Sequence, residues 1–196
     1  MLKKPIINTL VQVVAKGVMV LLSLTTTAIL TRKLGIVVYG NYMLITSVFL
    51  LFDSLADFGT KVIGVREAAK NEGEKRKEIY VQVAWFRLVS SLLAGLLGLG
   101  LIIFWSGFEG IKLEALVALT MIIFTAMAGS LEIIFQTEMK MGKKVLMDIL
   151  FPLIFLVTLL FWNSQINLMW VMVVYLLARI ISLLSGIGII RSMIGK

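Results

Sequence analysis

The chain has 196 residues, 60% of them hydrophobic and 15% charged, with a mean hydropathy of +1.02 and a net charge of +8. Soluble domains run at about 45–50% apolar and about 25% charged, so no water-soluble core absorbs this sequence, and its apolar residues gather in runs of the ~20 residues that cross a bilayer. There is no Cys and no His, which excludes disulfides, iron–sulfur clusters and thiolate zinc sites and removes the commonest general base and metal ligand.

Six spans follow in chain order, at about 6–31, 39–65, 79–105, 113–139, 145–162 and 168–190, forming one transmembrane domain over 1–196. The first opens after Lys3 and Lys4, with Pro5 in a first turn that tolerates it. Its apolar stretch exceeds the roughly 7–15 residues of a signal peptide and no small-residue cleavage site follows, so it reads as a retained span. Lys16 lies mid-helix, and Asn8, Gln12, Ser23 and Thr27 share its stripe at helical spacing. That stripe reads either as the wall of a wet cavity or as polar glue between helices.

In the second span Tyr42, Thr46, Asp53, Asp57, Lys61 and Gly64 fall on one stripe. Asp57 and Lys61 are spaced i, i+4 with the acid first, the favourable order for a pair on one helix. Asp53 lies deeper, with Lys16 of the neighbouring span as its expected counter-ion. Asp57 fits a structural role and a functional one equally. The third span carries Arg87 beside Tyr80, Ser90, Ser91 and Gly98, aimed into a cavity or snorkelling to the interface. Gly95, Gly98 and Gly100 in the same span suggest close helix packing.

The fourth span groups Thr125, Gly129, Glu132 and Gln136, with Glu138 nearer the interface. In the fifth, Pro152 has no N–H and frees the carbonyl of Asp148, which makes either a simple kink or a place for a cation or proton. In the sixth, Arg179 is the lone mid-helix charge, flanked on its face by Tyr175, Ser182 and Gly186. The connections Arg32–Val38, Arg66–Glu78, Ser106–Lys112, Lys140–Lys144 and Asn163–Asn167 are too short for a soluble domain, and Trp85, Trp105, Trp162, Trp170 and Tyr39 fall where an aromatic belt would.

Of the 19 Lys and Arg residues, 12 lie on the side of the chain termini, 3 (Arg32, Lys33, Lys112) on the other, and the remaining 4 inside spans. Positive loops stay in the cytoplasm, so both termini are expected there, and the basic loops touch lipid headgroups rather than nucleic acid. Inside the spans, Lys16, Arg87 and Arg179 stand against Asp53 and Glu132, with Asp57 and Lys61 semi-paired. Several cations aimed into one dry cavity attract an anion strongly, and a guanidinium matches phosphate geometry.

The stretch Arg32-Lys33-Leu34-Gly35, followed by Tyr39-Gly40-Asn41-Tyr42, closely resembles the "R-x-L-G-P-x-x-Y-G-x-Y" that opens the second span of polysaccharide flippases. Leu55-Ala56-Asp57-Phe58-Gly59 resembles their "L-A-D-x-G", Arg66-Glu67-Ala68 their "R-x-x-A", and Phe135-Gln136-Thr137-Glu138-Met139-Lys140-Met141 their "F-Q-x-x-x-K/R-M". Ile36, Val37 and Val38 depart from the family's Pro and acidic residues before Tyr39. The resemblance, over about residues 5–160, is to the O-antigen-type branch of the multidrug/oligosaccharidyl-lipid/polysaccharide exporter superfamily.

That resemblance implies one six-helix lobe of a two-lobe, alternating-access transporter in a prokaryotic plasma membrane, and not an enzyme. The cargo would be a lipid-pyrophosphate-linked oligosaccharide whose anionic headgroup is held by Lys16, Arg87 and Arg179. Asp53, Asp57, Lys61, Glu132 and Asp148 would line the cavity or couple transport to a proton or sodium gradient, with no bound cofactor and no metal. The partner would be a second six-helix lobe or another copy of the chain. Three rivals stay open: a multidrug/cation antiporter of the same superfamily, a membrane enzyme of isoprenoid or phospholipid metabolism, and a non-transporting scaffold or truncated lobe. The antiporter would favour acidic cavity residues, and the enzyme would need an acidic metal cluster that Asp53 and Asp57, followed by Lys61, match poorly.

Overall fold

In lipid the backbone must satisfy its own hydrogen bonds, so long apolar runs become helices. The computed structural model describes the backbone of residues 3–162 and 166–194 and the side chains of residues 10–162 and 166–192. Asn8 of the first polar stripe falls outside the described side chains. The helices are α1 Lys3–Asp57, α2 Thr60–Lys70, α3 Gly73–Phe104, α4 Lys112–Thr137, α5 Met141–Phe161 and α6 Leu168–Ile194, with a 3-10 turn at Ser106–Phe108. No strand occurs among the described residues, and the fold is all-α. Five stretches are long and apolar enough to cross a membrane, the first of them running from Leu10 to Lys70.

The expected first and second spans are the two arms of α1. The only non-helical backbone between them is Gly35, at φ 75° and ψ 168°, a region open in practice to glycine alone. Met19 of the first arm and Lys61, beyond the second, border the same cavity, so the arms fold back on each other. The expected loop Arg32–Val38 is therefore a one-residue break. Lys33 reaches across it and donates to the carbonyls of Leu159 (2.7 Å) and Trp162 (3.0 Å), at the end of α5 where helical donors run out.

The expected helix over 39–65 is interrupted. Phe58 (φ 42°) and Gly59 (φ 73°) are both left-handed, and α2 starts afresh at Thr60. α3 begins at Gly73, earlier than its apolar stretch, because its charged first turns continue the helix out of the membrane. At 32 residues it is about 48 Å long, against a hydrocarbon core of about 30 Å. Arg76 in those turns donates to Ala68 O (3.1 Å) and Asn71 O (2.7 Å) and pairs at 3.0 Å with Glu138, the residue that caps the end of α4, which ties the end of α2 to the bundle.

Lipid offers no hydrophobic drive between helices, so close packing of small residues has to hold them together. α4 supplies it from the centre, burying Ala115, Ala118, Ala126, Ala128, Gly129 and Ser130. A methyl at Gly98 of α3 would come within 2.6 Å of Leu119, and one at Gly186 of α6 within 2.6 Å of Met147. Gly95 and Gly100 face open space, so of the three glycines expected to pack, only Gly98 does. One apolar core joins the second arm of α1, α3 and α4 around Phe49, Phe52, Ile102 and Ile122. Another joins the first arm to α5 and α6 around Leu30, Phe155, Leu159 and Val171.

Candidate functional site

Between the two arms of α1, α2, α4, α5 and α6 lies a cavity of about 480 Å³, within the range of roughly 300–1,000 Å³ typical of small-molecule sites. Ser23, Thr26 and Thr27 line it from the first arm and Tyr42 from the second; Lys61, Glu132, Lys144, Asp148 and Arg179 bring the charges. From α4, Ala128 and, one turn beyond it, Glu132 both border the cavity.

Four of the charges form a chain of alternating sign. Lys61 Nζ lies 2.6 Å from Glu132, Glu132 lies 3.3 Å from Lys144 Nζ, and Lys144 Nζ lies 2.5 Å from Asp148. The chain joins α2, α4 and α5 across the cavity, and each side chain is largely withdrawn from solvent. Partly buried charges persist when each is paired, and here each has an opposite neighbour.

Arg179 is different. Among the described residues it makes no ion pair, and its buried Nε has no hydrogen-bond partner. Its guanidinium lies over the Phe151 ring, 4.0 Å from the centroid, with Tyr175 at 6.0 Å. An aromatic face attracts a cation without neutralising it. With Lys61, Lys144 and Arg179 against Glu132 and Asp148, three cations to two anions, the cavity keeps one positive charge.

The structure regroups the residues singled out from sequence. Lys61, Glu132, Asp148 and Arg179 border the cavity, with Ser23, Thr27, Tyr42, Tyr175 and Ser182. Lys16, two turns before Ser23, is exposed and outside the lining. Asp53 is half-buried, also outside the lining, and feels the charges of Arg179, Arg87 and Lys61 rather than that of Lys16. The expected Lys16–Asp53 pair is absent among the described residues.

Asp57 pairs not with Lys61 but with Arg87. Arg87 is 4% exposed and is held on all sides: it donates to Asp57, to Thr60 Oγ1 at 3.0 Å and to Ala126 O at 2.9 Å. A methyl on Gly129 would overlap its guanidinium. Arg87 thus braces the α1–α2 break against α4, away from the cavity and the headgroup position expected for it. Pro152 lies in the cavity wall within a continuous α5, and the neighbouring Asp148 is engaged by Lys144. No cluster able to hold a metal occurs among the described residues.

Two contributors escaped the sequence reading. Lys144 looked like one more loop cation, although its position four residues before Asp148 on one helix was a usable signal. Phe151 carried no polar signal at all, being one of many apolar residues in its span.

The sequence from residue 3 to residue 195 matches the model of the polysaccharide biosynthesis protein family. Neither the curated proteins nor the solved structures give a match. The match covers nearly the whole chain, including every helix that builds the cavity. This multi-pass helical membrane chain belongs to the polysaccharide biosynthesis protein family.

Proposed function

We propose that the protein takes part in polysaccharide export as a flippase for lipid-pyrophosphate-linked oligosaccharide. The observation that carries this reading is Arg179, a cation in a cavity wall with no acid paired to it among the described residues and an Nε left without a partner. Arg179 is half-buried and shares with Asp53 an attraction at longer range than an ion pair, so its charge is incompletely compensated, and the anionic headgroup of a lipid-linked glycan would complete it. The cavity volume accommodates the headgroup, while the lipid tail stays in the bilayer and the glycan extends toward water. No chemical step is needed. The work is translocation across the plasma membrane, drawn by a proton or sodium gradient, with a second six-helix unit or another copy of the chain closing the cavity.

The test is export of surface glycan in cells that depend on this chain. Arg179→Ala is expected to cut export about tenfold or more, the loss that goes with one charge-assisted hydrogen bond, with the protein present in the membrane at normal amount. Arg179→Lys should recover part, because it keeps the charge and loses the planar fork. Wild-type export from Arg179→Ala would place the headgroup elsewhere.

A further inference from the structure

We infer that a groove along α3, separate from the cavity, seats one bilayer phospholipid: an acyl chain in the groove and, at its loop end, a zwitterionic headgroup that carries a free ammonium. The inference concerns the lipid around the protein and does not depend on what the cavity carries.

Two hollows of about 370 Å³ and about 320 Å³ share Phe58 and Phe86 and run on as one groove. It has no lining residue in common with the cavity. Along α3 the groove reaches from Gln82 to Leu97, about 22 Å at ~1.5 Å per residue, more than one leaflet of a hydrocarbon core about 30 Å thick. Phe58, left-handed and exposed at the α1–α2 break, stands where the hollows meet. Thr60 and Ser90 are polar, but their hydroxyls are spent on the protein, donating to Asp57 O (2.6 Å) and Ala56 O (2.7 Å). Apart from Gln82, the walls offer an occupant hydrocarbon.

Gln82 and its neighbours assign the headgroup. Gln82 is exposed on a helix apolar enough to cross the membrane, and its amide makes no hydrogen bond among the described residues. An unsatisfied amide is costly in a bilayer, and the ester and phosphate oxygens of a phospholipid satisfy it. One turn nearer the α2–α3 loop, each helix carries a charge: Arg66 three residues after Ile63, and Glu78 four before Gln82. Other charges of this hairpin are taken: Glu67 by Lys70 at 2.7 Å, Glu74 by Lys77 at 2.8 Å and Arg76 by Glu138 at 3.0 Å. Arg66, Glu78 and Lys75, a turn further out, make no ion pair among the described residues. A phosphate suits Arg66, but a purely anionic head is repelled by Glu78, and a quaternary amine gives that carboxylate no N–H. A phosphate joined to a primary ammonium answers both.

The experiment uses the purified full chain in phosphatidylcholine vesicles, with rising fractions of brominated phosphatidylethanolamine, phosphatidylcholine or phosphatidylglycerol. Bromine quenches tryptophan on contact, and Trp85, exposed one turn from Gln82 on α3, is the reporter; the signal is the quenching lost in Trp85→Phe. Half-quenching is expected at an about two- to fivefold lower fraction of the ethanolamine lipid than of the other two, the scale of one exposed charge pair. Glu78→Gln should bring the ethanolamine and choline lipids level, and Glu78→Asp should keep the preference. Arg66→Gln should raise the half-quenching fraction of both, with melting unchanged in each variant because neither side chain is paired. Equal quenching by all three lipids in wild type leaves only ordinary boundary lipid and overturns the inference. Preference for the glycerol lipid overturns the zwitterionic assignment, as does an undiminished ethanolamine preference in Glu78→Gln. Relief of the quenching by farnesyl phosphate at equal fraction would give the groove to an isoprenoid chain instead.

Discussion

Arg87 and Arg179 are both interior arginines on apolar helices, and their surroundings give them opposite tasks. Arg87 is enclosed by Asp57, Thr60 and the Ala126 carbonyl, with no face left for a ligand. Removing one partner of a buried pair leaves the other charge uncompensated and costs about 3–5 kcal/mol. Arg87→Met should therefore lower the melting temperature of the purified protein markedly, and Arg87→Met with Asp57→Asn should regain part of the loss. Gly129→Ala should destabilise as well, since its methyl displaces a guanidinium fixed by three contacts. Arg179→Ala should leave melting nearly unchanged, because it breaks no ion pair among the described residues. Equal melting of the Arg87 and Arg179 variants would refute the division of labour.

At the scale of elements, the membrane-spanning runs were legible because apolar length alone nearly determines a helix in lipid. Partnerships were not, and Asp57 shows why. Its i, i+4 pairing with Lys61 assumed an unbroken helix, but the left-handed Phe58 and Gly59 turn Lys61 into a new helix and toward Glu132. The same spacing does hold for Lys144 and Asp148, where α5 is continuous. The Leu-Ala-Asp-Phe-Gly stretch carried the break's only sequence signal, its glycine. At the other turn, Gly35 alone separates the arms of α1. A Cβ there meets no neighbour, so any cost of Gly35→Ala is backbone strain, about 1–3 kcal/mol at this φ and ψ. Thermal melting of Gly35→Ala against Gly95→Ala separates this from a general glycine effect. Gly95 is helical with open space around it, and its replacement should be neutral or stabilising by up to about 1 kcal/mol.

For the whole molecule, the exposed Lys16 poses the remaining physical problem. It lies in the first arm of α1 among exposed Val13, Val14, Val18 and Val20, in a stretch apolar enough to cross the membrane. A charge facing lipid at depth costs several kcal/mol, lessened when the side chain snorkels. Helices with polar stripes relieve that cost against a further helical surface, and the cavity's border by the same arm puts Ser23 and Thr27 along the line leading from Lys16. On the flippase reading proposed above, a second helical unit in parallel orientation, related by an axis along the membrane normal, would cover Lys16 and complete the cavity wall. Because the chain contains no cysteine, a single Lys16→Cys substitution can be read without background. In native membranes the introduced thiol is expected to resist a lipid-soluble maleimide and to crosslink to a second membrane unit. Full labelling from the lipid phase, from a protein that runs as a lone chain and still exports glycan, would show that the first arm faces lipid and that no partner closes the site.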